Sequence, residues 1–209
     1  MAARMLAENP ALAEGDAYLA CAVGDETALR QATARDPGWV HRAGGPLHLP
    51  PLEAVTHSGL LTLPGFRERL RDCARFLLGA GASPDQSIGS RWPPASLEAP
   101  SFTERLSALY GAAGKARDAA LARFLLERGA DWRTLHGFGD NACGSLSWAS
   151  LNVLVEGGDW AGCARALRDH GMPAARRDPG GTDIVRIGAA RYRFADEVAD
   201  VLLGVDDAG

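Results

Sequence analysis

The sequence predicts an all-α protein, a solenoid of about five helix pairs with enlarged loops between them. Three observations lead there. Ala and Leu carry most of an apolar share of 46%, and only 7% of residues are aromatic, a composition that favours helix over strand. One helical face recurs: Leu121, Phe124 and Leu125 stand at i, i+3 and i+4, as do Cys73, Phe76 and Leu77, and Cys163, Ala166 and Leu167. Eight residues after the first member of each face comes a glycine, Gly129, Gly81 or Gly171, which suits a helix ending on a left-handed residue.

Taken in order, residues 1–14 read as a partial N-terminal unit, because "MLAENPAL" parallels "ATARDPGWV". The unit 15–44 pairs "DAYLACAVGD" with a helix whose face is Leu29 and Ala32 and whose stop is Pro37. In 45–87, "PPLEAVTHSG" precedes "CARFLLGAGASPD"; in 88–135, "SALYGAAGKARD" precedes "LARFLLERGAD". The unit 136–178 pairs "SLSWASLNVLVEGGD" with "CARALRDHGMP", with Asp159 as the N-cap of its second helix. Residues 179–209 close the single domain: "TDIVRIGAARYR" reads as a short helix, and Val198, Val201 and Leu202 repeat the face. The first helix of each pair is rich in small residues, which let neighbours approach closely. Trp148 and Trp160 fall at core spacing, and Trp39 is expected under the next loop.

The equivalent positions 29, 73, 121, 163 and 198 are separated by 44, 48, 42 and 35 residues. The stretches "PPLEAVTHSG", "ARFLLGAGASPD", "ARFLLERGADW" and "ARALRDHGMP" resemble the ankyrin-repeat family, whose pattern is T-P-L-H-x-A-A-x-x-G followed by V-x-L-L-L-x-x-G-A-D. The Ala, Gly and Arg content is similar to that of bacterial members. The resemblance implies a β-turn finger and two antiparallel helices per unit, stacked into a concave protein-binding surface. No unit carries the full T-P-L-H, and every spacing exceeds the ~33 residues of the ideal repeat. The surplus is assigned to loops: "LLTLPGFRERL" between two helices, "SIGSRWPPASLEAPSFTE" before the third unit, "WRTLHGFGDNACG" before the fourth.

Other function classes lose ground on composition. Net charge is −4 and the longest basic cluster is the short "AARR" of 174–177, so no nucleic-acid partner is expected. No apolar run reaches the ~18 residues of a membrane span, and the N-terminus does not read as a secretory signal. Four cysteines at 21, 73, 143 and 163 form no C-x-x-C, which predicts free thiols and a cytoplasmic protein. No phosphate loop, dinucleotide fingerprint, cofactor motif or metal-ligand cluster occurs, and no catalytic residue is assigned. The acidic ending "LLGVDDAG" reads as a polar cap, so a monomer is expected.

The predicted function is therefore a non-catalytic module that binds an unidentified partner protein through its concave surface and finger loops. The expected contact area is about 800 Å² per partner. The candidate residues are Arg91 and Trp92 on one loop, and Trp132, His136, Phe138 and Asp140 on the next, where aromatic anchors ringed by charge compose a hot spot. Glu53 and His57 mark a competing helical surface. Two alternatives stand beside this: an inhibitor or immunity-type protein that blocks an enzyme, and a small enzyme using His136, Asp140 and Cys143.

Overall fold

The structure, a computed structural model, describes residues 1–46, 48–89, 105–135, 140–152 and 158–205. It begins with helix α1 (Ala2–Glu8) and a 3-10 turn (Pro10–Ala13), followed by the pair α2 (Ala17–Val23) and α3 (Glu26–Arg35). A second 3-10 turn (Pro37–His41) follows α3, so helix, proline and tight turn occur in both segments. The next pair is α4 (Pro51–Thr56) and α5 (Pro64–Gly79), separated by a 3-10 turn (Gly59–Thr62). A π-helix (Tyr110–Lys115) pairs with α6 (Ala119–Glu127), and α7 (Ala142–Asn152) pairs with α8 (Trp160–Asp169).

Most of the predicted helix face lies in the core, although Phe76 and Phe124 are only half-buried against it. Leu29, Cys73, Leu121, Cys163 and Val198 are all buried, and so are Ala32, Leu77, Leu125, Leu167 and Leu202 one turn further on. Aspartates start three of the second helices, α3, α6 and α8. Asp25 accepts from the Ala28 N–H, Asp118 from Leu121, and Asp159 from Gly162, each satisfying an otherwise orphaned amide. Gly81, Gly129 and Gly171 take φ values of +99°, +94° and +85°, the left-handed geometry that ends the helices. All four cysteines are buried and free, Cys73 and Cys163 among them.

Successive units are tied by hydrogen bonds at nearly constant separations of 45 to 47 residues. Arg69 Nε donates to Gly24 O, Gln86 Nε2 to Val40 O and Arg71 to Asp118. The Asp131 N–H donates to Asp85, Arg123 to Asp169, and the Ala195 N–H to Ser150 Oγ. In the shorter last unit the corresponding bond, Arg168 Nη1 to Val201 O, spans 33 residues.

The all-α solenoid needs correction at two places. A two-stranded ribbon, β1 (Ser87–Gly89) against β2 (Arg105–Ser107), precedes the π-helix. More decisively, the segment read as the first helix of the last unit is an antiparallel sheet: β3 (Ala175–Asp178), β4 (Gly181–Ile187) and β5 (Ala190–Tyr192), in that order, followed by α9 (Asp196–Leu203). The fold therefore mixes helix and strand. Ile184, Val185 and Ile187 favour strand, and burial alternates with period two: Val185 and Ile187 are buried, Arg186 between them exposed. The β4–β5 turn opens on Gly188 at φ +59°, a position hairpins reserve for glycine. The β3–β4 turn is held by Asp178, which accepts from the Gly180 N–H at 2.7 Å.

The surplus in "LLTLPGFRERL" also lies elsewhere than predicted. It forms the 3-10 turn and the first turns of α5, 16 residues long, rather than an open loop. Among the described residues, no helix is long and apolar enough to cross a membrane.

Candidate functional site

Glu53 and His57 do not form a surface. All six residues of α4 are buried, because the helix packs against α2, α5 and the π-helix. Glu53 Oε2 lies 2.8 Å from His57 Nδ1, one helical turn away, and the Thr56 hydroxyl sits 3.2 Å from the same nitrogen. The His57 ring stacks on Tyr110, with centroids 6.1 Å apart. Gly111 permits this approach: a Cβ there would meet Thr56 O at 2.7 Å and the His57 ring at 2.8 Å. Among the described residues Glu53 Oε1 accepts no hydrogen bond. Burial raises the Glu53 carboxyl above its ordinary range, and the neighbouring His57 pulls the other way. The pair is a polar element of the core, and its placement on a recognition face is corrected.

His57 also borders a cavity of about 700 Å³ between the N-terminal segment, α2 and α4. Its walls are otherwise almost wholly apolar, with Met5, Leu6, Leu19 and Leu60 among them. The hydroxyl in its wall, Ser58 Oγ, donates to Ala22 O at 2.6 Å, so it is committed to the backbone.

Of the loop candidates, Arg91, Trp92, His136 and Phe138 lie outside the described residues. Trp132 is half-buried against the core. The two loops that hold Asp85 and Asp131 are adjacent, joined by the 2.9 Å bond from the Asp131 N–H to Asp85 Oδ1. Asp140 is half-buried and accepts from the Asn141 N–H at 2.8 Å, while Asn141 caps α7 by accepting from Cys143 N–H at 2.9 Å. Cys143 is 1% exposed and its sulfur lies 3.3 Å from Met172 Sδ. Burial, helped by the Asp140 charge, pushes its thiol up to about 12, the opposite of an activated nucleophile. Among the described residues, no three His, Cys, Asp or Glu side chains are placed to hold a metal ion.

The surface feature that sequence reading missed is on α7. Trp148, assigned to the core from its spacing, is 65% exposed, and Leu151, three residues on, is 47% exposed. The π-helix and α8 cover the other side of α7, where Cys143, Leu146 and Ala149 are buried. Ser147 and Ser150, interleaved with the exposed pair, bond the chain just after β5 through Arg193 O and the Ala195 N–H. Trp160, also expected in the core, is half-buried beneath the Arg117 guanidinium, 5.4 Å from its ring centroid. Trp39 is buried as expected, donating to Thr33 Oγ1 at 2.8 Å. No family model matches the chain, and no curated protein matches it.

Proposed function

We propose that the chain is a non-catalytic interaction module that binds a partner protein, with α7 at the centre of the contact surface. One observation carries this reading: Trp148 stands 65% exposed beside the half-exposed Leu151 on one helical face. Large apolar groups held on a rigid helix and left in water are the composition of a binding hot spot. The tied helix pairs support it by holding α7 in place before any partner arrives, which lowers the ordering cost of association. The buried Cys143, with its raised thiol, weighs against the enzymatic alternative. Four buried free thiols support a reducing compartment, so a cytoplasmic location belongs to the proposal. On sequence grounds the loop residues Arg91, Trp92, His136 and Phe138 remain candidates for the rim.

The test compares wild type with Trp148→Ala, each immobilised and exposed to lysate of the source cell, with crosslinking and mass spectrometry of what is retained. The expected result is a partner whose crosslinks reach α7 and whose affinity falls by 1 kcal/mol or more, on the order of a hot-spot loss. The melting temperature should not change, because Trp148 is largely outside the core. A partner held equally by both proteins refutes the α7 surface.

A further inference from the structure

The register of the C-terminal sheet places three arginines side by side. Arg176 of β3 is directly opposite Arg186 of β4, and Arg186 is directly opposite Arg191 of β5. All three are exposed, while Val185 and Ile187, flanking Arg186, are buried on the other face. Adjacent strands lie about 4.8 Å apart, so the row brings three guanidinium stems within about 10 Å. Like charges directly opposite destabilise a sheet. Charged edge strands discourage sheet-to-sheet aggregation, which accounts for Arg176 and Arg191 but not for Arg186 on the central strand.

We infer that Arg176, Arg186 and Arg191 form a binding row for an acidic segment, rich in Asp and Glu, of a partner protein. This deepens the interaction reading above and rests on it. The row already holds one carboxylate of the chain's own: Asp178 Oδ2 lies 3.0 Å from Arg191 Nε and 3.8 Å from Arg186 Nε. One aspartate against three arginines leaves a local charge of plus two. Arg176 has no carboxylate partner among the described residues, and the Arg186 and Arg191 side chains remain 48% and 55% exposed. A guanidinium presents several N–H donors in a plane, so Arg186 and Arg191 keep donors free for a second carboxylate. The last strand runs directly into the segment bonded to α7, so row and Trp148 are carried on connected elements.

A protein carboxylate fits better than a nucleic-acid backbone. A patch of plus two neutralises few phosphates, too few for the counterion release on which nucleic-acid affinity rests.

The experiment measures fluorescence anisotropy of a short labelled peptide of alternating Glu and Gly with the full chain. Controls are the same peptide with Gln for Glu, and a single-stranded oligothymidylate. The Glu peptide should bind, weaken as salt is added, and bind better than either control. Arg186→Gln and, separately, Arg176→Gln should each weaken it about tenfold, the scale of one charge-assisted contact. Arg176→Gln should not lower the melting temperature, since it removes a repulsion, and Arg186→Gln should change it little, since it removes a repulsion along with a long, exposed contact to Asp178. Equal binding of the Glu and Gln peptides, two variants that bind as wild type, or tighter binding of the oligothymidylate overturns the assignment. If the Glu peptide fails while the Trp148-dependent partner is still captured, the row falls and the interaction reading stands. If capture fails as well, both fall.

Discussion

Asp118→Ala should be one of the most damaging single changes to a polar residue, because Asp118 acts in two units at once. Its carboxylate accepts from Arg71 Nε at 2.9 and 3.0 Å and from Arg71 Nη2 at 2.7 Å, tying α5 to the start of α6. The same carboxylate caps α6 through the Leu121 N–H at 3.0 Å. Loss of an N-cap costs about 1 kcal/mol. Breaking a buried ion pair costs about 3 to 5 kcal/mol. Here the Arg71 side chain is 18% exposed and keeps its contact with Glu68, so roughly 2 kcal/mol is a fairer share. The sum is about 3 kcal/mol, which lowers the melting temperature by about 6 to 12 °C for a chain of this size. Urea denaturation of wild type, Asp118→Ala, Arg71→Met and the double variant gives the coupling directly. A loss below about 1 kcal/mol in Asp118→Ala, or strictly additive single changes, would refute the two-role account.

Leu125→Ala should cost about 2 to 5 kcal/mol by denaturant titration, because Leu125 is fully buried at the repeated core position; wild-type stability would mean the helix face is mis-phased. The Glu53 carboxyl is raised in the folded state, so its contribution is fully present below its unfolded value near 4.3 and is lost as pH rises through the folded value. Glu53→Gln removes that loss, so its stability relative to wild type should grow as pH increases from the acid side; parallel stability curves would contradict a raised carboxyl.

The sequence made the phase of the second helices legible, because their cores obey a single period and all but α3 end on glycine. Cys73 and Cys163 were placed in the core by that period alone, and they are there. Trp148 was not legible. The apolar groups of α7 run nearly round the helix, and which side is covered depends on where the π-helix and α8 lie. Glu53 and His57 look like surface residues by type, but they compensate each other within α4 and at its C-terminal end, a relation visible only once three neighbouring helices close over it. The hairpin strands read as a helix in the sequence because they occupy a first-helix place in the spacing; their alternation over a few residues is a weaker signal than position. The arginine row depends on strand register, which no linear pattern specifies.

The ties at 45 to 47 residues make the order of unfolding a property of the chain's direction. Each tie joins a unit to the next, and the substantial packing contacts among the described elements also stop at the adjacent unit. Loosening one unit therefore removes support from its immediate neighbours and leaves distant ones intact, so protection against hydrogen exchange should fall off stepwise toward the ends. The two ends differ. Helix α1 has no buried residue, so it should exchange first and report on nothing beyond itself. At the other end α9 is pinned by Arg168 and its core by Val198 and Leu202, so amides there should persist until the α7–α8 pair opens.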